Sequence, residues 1–215
     1  MCIRDRPDDV GDDLGASMGI PAMTAHRCLF ADGPVEGKTV LVAGGAGAVG
    51  HYAIELAKWR GAHVIATVSG DDKARLSSEA GADEVVNYRT QDAAQRIAQL
   101  VPDGVDRVVE VALHRNLELN SAVVAPHAAV AAYANGGSAK IAASQLMSRN
   151  VVVRFVLVYT MPRQAVAEAV ADVSAALAEG VLSELPEHRF ALRDIAAAHD
   201  AVEQGAVGKV LVDVP

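Results

Sequence analysis

The chain has 215 residues, 51% hydrophobic and 21% charged, with 19 Lys and Arg against 27 Asp and Glu for a net charge of −8. At about 100–200 residues per domain this is one large domain, or one with a small appendage, and its apolar content excludes disorder as a description of the whole. The acidic balance and the 4% aromatic content argue against nucleic acid as the partner, because phosphate backbones need cations and single strands need stacking platforms.

In chain order, Pro21 is placed to start a helix running to about Leu29. Lys38 to Ala43 is a continuous apolar run, the pattern of a strand buried on both faces. Val49 to Trp59 carries apolar side chains at helical spacing and Gly61 closes that helix. His63 to Val68 is a second strand. Asp71 and Asp72 then open a helix to Ala80, where acidic residues suit the positive end of the dipole, and Gly81 stops it. Val85–Val86 is a short third strand, Gln91 to Leu100 a helix, Arg107 to Val111 a fourth strand, Ala128 to Ala132 a weak fifth and Val151 to Val158 a long sixth. Gln164 to Ala178 is an Ala-rich helix ended by Gly180. After it come an apolar piece around Phe190, a helix from Asp194 to Glu203 and a last strand from Lys209 to Val214. Strands alternating with helices at this spacing predict an α/β fold, a Rossmann-type doubly wound parallel sheet with helices on both faces.

Gly45-Ala46-Gly47-Ala48-Val49-Gly50 is G-x-G-x-x-G, directly after a strand and directly before a helix. In that context each glycine has a mechanical role: a tight turn, close backbone approach to a pyrophosphate, and close helix–strand packing. An NAD site wants an acidic residue about 20 positions on. Ser69 stands there, followed by Gly70, with Lys73 in the next helix and Tyr88–Arg89 after the third strand. A small neutral residue among cations suits the 2′-phosphate of NADPH. The rival reading has Asp71 or Asp72 reaching back to the ribose of NAD.

Cys2 and Cys28 cannot build a disulfide framework or a Cys-rich zinc site, and they fit a reducing compartment, the cytoplasm. No apolar stretch approaches the roughly 18 residues of a membrane span, and residues 1–10 have no signal-peptide core. The opening is abrupt, as if the chain began inside a longer gene. The seven histidines show no metal-ligand spacing, so no metal is expected. There is no serine nucleophile elbow and no side chain that stands out as a general acid. His51, just after the glycine motif, either approaches a phosphate or packs on its helix.

Gly19-Ile-Pro-Ala-Met-Thr-Ala25, the glycine motif, Gly81-Ala-Asp83, Asn87–Tyr88, Glu110 to Leu117 and the closing Gly208-Lys-Val-Leu-Val212 together resemble the quinone oxidoreductase (zeta-crystallin-like) branch of the zinc-independent medium-chain dehydrogenase/reductases. The likeness runs from about Gly15 to the end. It implies NADPH-dependent, metal-free hydride transfer to small-molecule quinones or α,β-unsaturated carbonyls, in a homodimer paired through the strand at 151–158. By resemblance, Ala46 to Val49 meet the diphosphate, Ser69, Lys73 and Tyr88 surround the 2′-phosphate, Asn116 lies near the nicotinamide, and Tyr133, Ala134, Val156 and Val158 belong to loops along the cofactor. Two departures concern loop shape: Ala134 replaces a glycine, and His127–Ala128 replaces a glycine pair.

Family members carry an N-terminal substrate-side barrel that has no counterpart in this chain. The resemblance therefore divides the chain into a residual segment and lead-in helix at 1–30, a dinucleotide-binding domain at 31–182, and a return segment at 183–215 that would pack on the barrel. A chain without that barrel is expected to bind cofactor and turn over slowly or not at all, with negligible quinone reductase activity. The alternatives are a non-catalytic dinucleotide-binding module and an enoyl reductase-type unit.

Overall fold

The computed structural model describes residues 10–134, 136–141 and 143–215. Six strands, β1 (Thr39–Ala43), β2 (His63–Val68), β3 (Glu84–Asn87), β4 (Val105–Glu110), β5 (Val124–Ala132) and β6 (Val152–Phe155), form one sheet in the order β3-β2-β1-β4-β5-β6. Every neighbouring pair is parallel. Helices α1 (Asp12–Phe30), α2 (Ala48–Trp59), α3 (Asp71–Glu79), α4 (Ala93–Leu100), α5 (Leu113–Val123), α6 (Ala143–Met147) and α7 (Arg163–Ala178) surround it. The return segment forms β7 (Glu187–Ala191), α8 (Ile195–Glu203) and β8 (Lys209–Asp213), with β7 and β8 paired in parallel. The doubly wound sheet expected from the sequence is the one observed.

Both faces of the sheet are covered. Val40, Val42, Val64, Ala66 and Val109 pack with Ala25 and Leu29 of α1, Leu56 of α2 and Val173 of α7. Leu41, Ile65, Val108 and Val130 pack on the other side with Ile97 of α4 and Leu113 and Leu117 of α5. Alternate residues of each strand thus face opposite apolar layers, which is why the strands read as unbroken apolar runs. No helix among the described residues is long and apolar enough to cross a membrane.

Three expectations need correction. The first helix begins at Asp12, and Pro21 lies inside it. Asp12 and Asp13 complement the dipole of its first turn, and the hydroxyl of Thr24 donates to the carbonyl of Ile20 at 2.8 Å, one residue before the proline. The sixth strand ends at Phe155: Val156 N–H still reaches Ala132 O at 2.8 Å, but a 3₁₀ turn over Val158–Thr160 then replaces the extended backbone. The fifth strand starts earlier, at Val124, and its pairing with β4 is irregular between Val105 and Arg107. In that irregular stretch His127, one of the residues standing in for a glycine pair, adopts φ 63°.

Arginines tie the layers together. Arg107 of β4 is 2% exposed and donates to Leu29 O at 2.7 Å and Asp32 O at 3.0 Å, satisfying carbonyls at and beyond the C-terminal end of α1. Arg154 of β6 grips the Asp32 carboxylate at 2.5 and 2.9 Å. That hydrogen bonding holds the Asp32 carboxyl below the usual carboxylate range. Arg154, the one charge in an otherwise apolar run, is thereby accommodated.

Candidate dinucleotide site

The amino-terminal edge of the sheet is closed by carboxylates. Asp106 accepts the Thr39 N–H at 2.8 Å, and Asp83 accepts the Val64 N–H at 2.7 Å while pairing with Lys58 at 2.8 Å. At the opposite edge the chain leaves the strands in loops, and the strand order reverses between β1 and β4. Open α/β sheets take ligands at that reversal, outside the carboxyl ends of the strands.

The glycine turn sits at this point. Gly44, at φ +72°, and Gly45 both donate to Thr67 O, at 3.0 and 3.1 Å, so the turn is pinned to the end of β2. A Cβ on Gly45 would come 2.6 Å from Ser77 Oγ and 2.8 Å from Ala66 Cβ, and one on Gly50 would overlap the carbonyl of Gly44. These two glycines let α2 lie against the strands. Gly47 differs, because a Cβ there would meet only Gly44 O at 3.4 Å, and the residue is exposed. Its missing side chain leaves the backbone open to a ligand rather than to the core. Gly47 is also the N-cap of α2 and no side chain caps the helix, so the opening turn keeps backbone N–H groups for an anion. Ala48 and Val49 are half-buried and Ala46 is buried. The cradle fits a diphosphate.

Ser69 and Lys73 are half-buried, at the exit of β2 and in the first turn of α3. Tyr88 is 53% exposed after β3, its N–H bound to Val68 O at 3.1 Å, and Arg89 beside it is exposed. Neither Lys73 nor Arg89 is ion-paired among the described residues, and no carboxylate occupies the end of β2. Asp71 and Asp72 are exposed in the first turn of α3.

The exit of β4 is organised by Glu110, which is fully buried. Its carboxylate accepts the Ala112 N–H at 2.5 Å, the Asn116 amide at 2.9 Å and the Asn120 amide at 2.7 Å. The family resemblance marks Asn116, but nothing in the local sequence pattern signals Glu110 as its anchor. Next to it, Tyr133 N–H reaches Glu110 O at 3.1 Å, and burial pushes the half-buried Tyr133 phenol above its ordinary value. Ala134 is exposed. Val156 and Val158 are buried, Val158 against Met23 and Ala169, so their side chains serve the core and only backbone there is available to a ligand.

His51 is 3% exposed and turned away from solvent: its Nε2 lies 2.9 Å from Ser183 Oγ and 3.1 Å from Glu55 Oε1. Ser183 N–H and Oγ–H both donate to Glu55. The set lacks the arrangement of a nucleophile triad, because one imidazole nitrogen faces both partners while Nδ1 is buried without a hydrogen bond. It joins the return segment to α2.

Residues 48–175 match the family described as Zinc-binding dehydrogenase. The quinone oxidoreductase of Pongo abelii is 26% identical over 210 residues, covering 96% of this chain and 64% of its own length. Among solved structures, a 2-haloacrylate reductase superposes with a TM-score of 0.88 at 27% identity, over 99% of this chain and 69% of that one. A mycobacterial protein complexed with NADPH superposes with a TM-score of 0.86 at 29% identity, over 97% and 66%. This chain thus spans 64% of the length of the curated quinone oxidoreductase it matches. The family's description carries a metal, but among the described residues no three His, Cys, Asp or Glu side chains gather to hold one.

Proposed function

Because the chain belongs to the zinc-binding dehydrogenase family, we propose that it is the cofactor-binding part of an NADPH-dependent, zinc-independent oxidoreductase acting on quinones or α,β-unsaturated carbonyls. The observation that carries this reading is the glycine turn, with Gly45 and Gly50 spent on packing and Gly47 left open at an uncapped helix. When bound, NADPH supplies the hydride. The protein's residues bind and orient: the backbone of Gly47, Ala48 and Val49 takes the diphosphate, while Ser69, Lys73, Tyr88 and Arg89 take the 2′-phosphate. Asn116, Tyr133, Ala134 and the backbone at 156–158 flank the nicotinamide. A quinone oxidoreductase and a 2-haloacrylate reductase among the relatives support conjugated carbonyl compounds as acceptors.

The division at 30/31 and 182/183 stands within this reading, with 183–215 serving a substrate-side domain and the molecule acting in the cytoplasm. Orientation and exclusion of water supply about 7–11 kcal/mol of a barrier, so this chain should bind NADPH saturably and turn over a quinone slowly. The test is calorimetry. A single charge-assisted contact contributes about 1.5–3 kcal/mol, so NADPH should bind at least about tenfold tighter than NADH, and Lys73→Ala should narrow that gap. Equal affinities, or a preference for NADH, would return the site to the Asp71–Asp72 reading.

A further inference from the structure

In a sheet reversed between β1 and β4, each half serves one nucleotide of a dinucleotide. The glycine turn, Ser69 and Tyr88 belong to the β1–β3 half, which leaves the exits of β4 and β5 to the nicotinamide. The β4 exit is held in place by the buried Glu110 and its three donors. From it projects His114, the second residue of α5, half-buried, with no hydrogen bond to either ring nitrogen among the described residues. Gly136, in the loop after β5, lies against the ring: a Cβ there would collide with Cε1 and Nδ1 and stand 3.0 Å from Nε2. Only a glycine lets this loop close on the imidazole, and Nε2 is the ring nitrogen farther from it. The other titratable groups at the β4 exit, on α5 and in the described part of the loop after β5 are Glu110, Arg115, Glu118, Tyr133 and Lys140, and α4, which packs on α5, carries Arg96.

We propose that His114 is the proton donor of the nicotinamide half, an inference that rests on the reading of the chain as an NADPH-dependent reductase of conjugated carbonyls. Uptake of a hydride leaves such a carbonyl compound with an extra electron pair and a negative charge on oxygen. The Nε2–H bond of the imidazolium breaks, an O–H bond forms, and neutral imidazole is reprotonated from water. Histidine suits the task because its charge changes between about pH 5 and 8.

The experiment follows the His114 ring by NMR in the 215-residue chain, its resonance identified by loss in His114→Gln. NADPH should shift both the Gly47 and Val49 amides and the His114 ring. 2′-Phospho-ADP-ribose, which has both phosphate groups and no nicotinamide, should shift the amides alone. Gly136→Ala should weaken the ring's response while leaving the amide shifts intact. His114→Gln should keep NADPH affinity within about twofold, and slow menadione reduction, followed over hours, should fall about a hundredfold and lose its pH dependence. Amide shifts with a silent His114 ring, or rates and pH profiles parallel to those of the unaltered chain, overturn the proton donor alone. Silence of the amides as well overturns the proposed function and this inference with it.

Discussion

His127 occupies the left-handed region, φ 63°, in the irregular part of β5, with its N–H on Arg149 O at 2.6 Å. A side chain there costs about 1–2 kcal/mol, and glycine avoids that cost while losing about 0.5–1 kcal/mol through the freer unfolded chain. His127→Gly should therefore raise stability by up to about 1 kcal/mol in denaturant titration. His127→Val should lower it, and stabilisation by valine would show that the strain lies elsewhere. His26 gives a pH signature. It is 6% exposed and 2.9 Å from Asp172, and burial lowers its pKa below the ordinary 6.5 despite that carboxylate. The unfolded chain then binds the extra proton first, so stability is complete above about pH 6.5 and is lost as pH falls below it. Melting temperatures should drop between pH 7 and 5.5, and less so in His26→Gln. Equal drops would assign the effect to other groups.

At the scale of elements, Glu55 of α2 carries the link to the return segment through Ser183. Glu55→Ala leaves the Ser183 donors and the buried His51 without their acceptor, a loss of about 2 kcal/mol. Amide exchange across 184–213 should quicken while β1, β2 and β4 stay protected, and uniform quickening would mean that the segment unfolds with the sheet. The same scale shows what the sequence made legible. β2 and α7 were foreseen within a residue, because an apolar run bounded by glycine or an Ala-rich stretch ending at Gly180 has one low-energy outcome. α5 escaped notice: His114, Asn116 and Asn120 are weak helix formers, no side chain caps its start, and what holds it is a long-side-chain anchor, Glu110, on another element. For the same reason the engagement of Asn116 with Glu110, six residues earlier on another element, leaves no trace in the sequence pattern. The end of β6 is not legible in the sequence, because apolar character persists to Val158 after the ladder stops at Phe155.

For the whole molecule, β6 ends the sheet and leaves one side of its backbone unpaired, with Phe155 74% exposed and Leu157 and Tyr159 beyond it also exposed. Such an edge favours pairing with a second copy, and we expect a homodimer through this strand. Light scattering at micromolar concentration should give twice the chain mass, and Phe155→Glu should give the monomer. A monomer in both would refute the pairing. A different consequence follows from Asp32, which joins the end of α1 to Arg107 and Arg154, 75 and 122 residues along the chain. Contacts so distant in sequence repay their loop-closure entropy only once β4 and β6 have taken their places. α1, interrupted by Pro21 and two glycines, is therefore expected to take its helical form as it docks, late in folding. Loss of its anchors, as in Arg154→Ala, should therefore shorten the lifetime of the native state and hardly touch how fast it assembles.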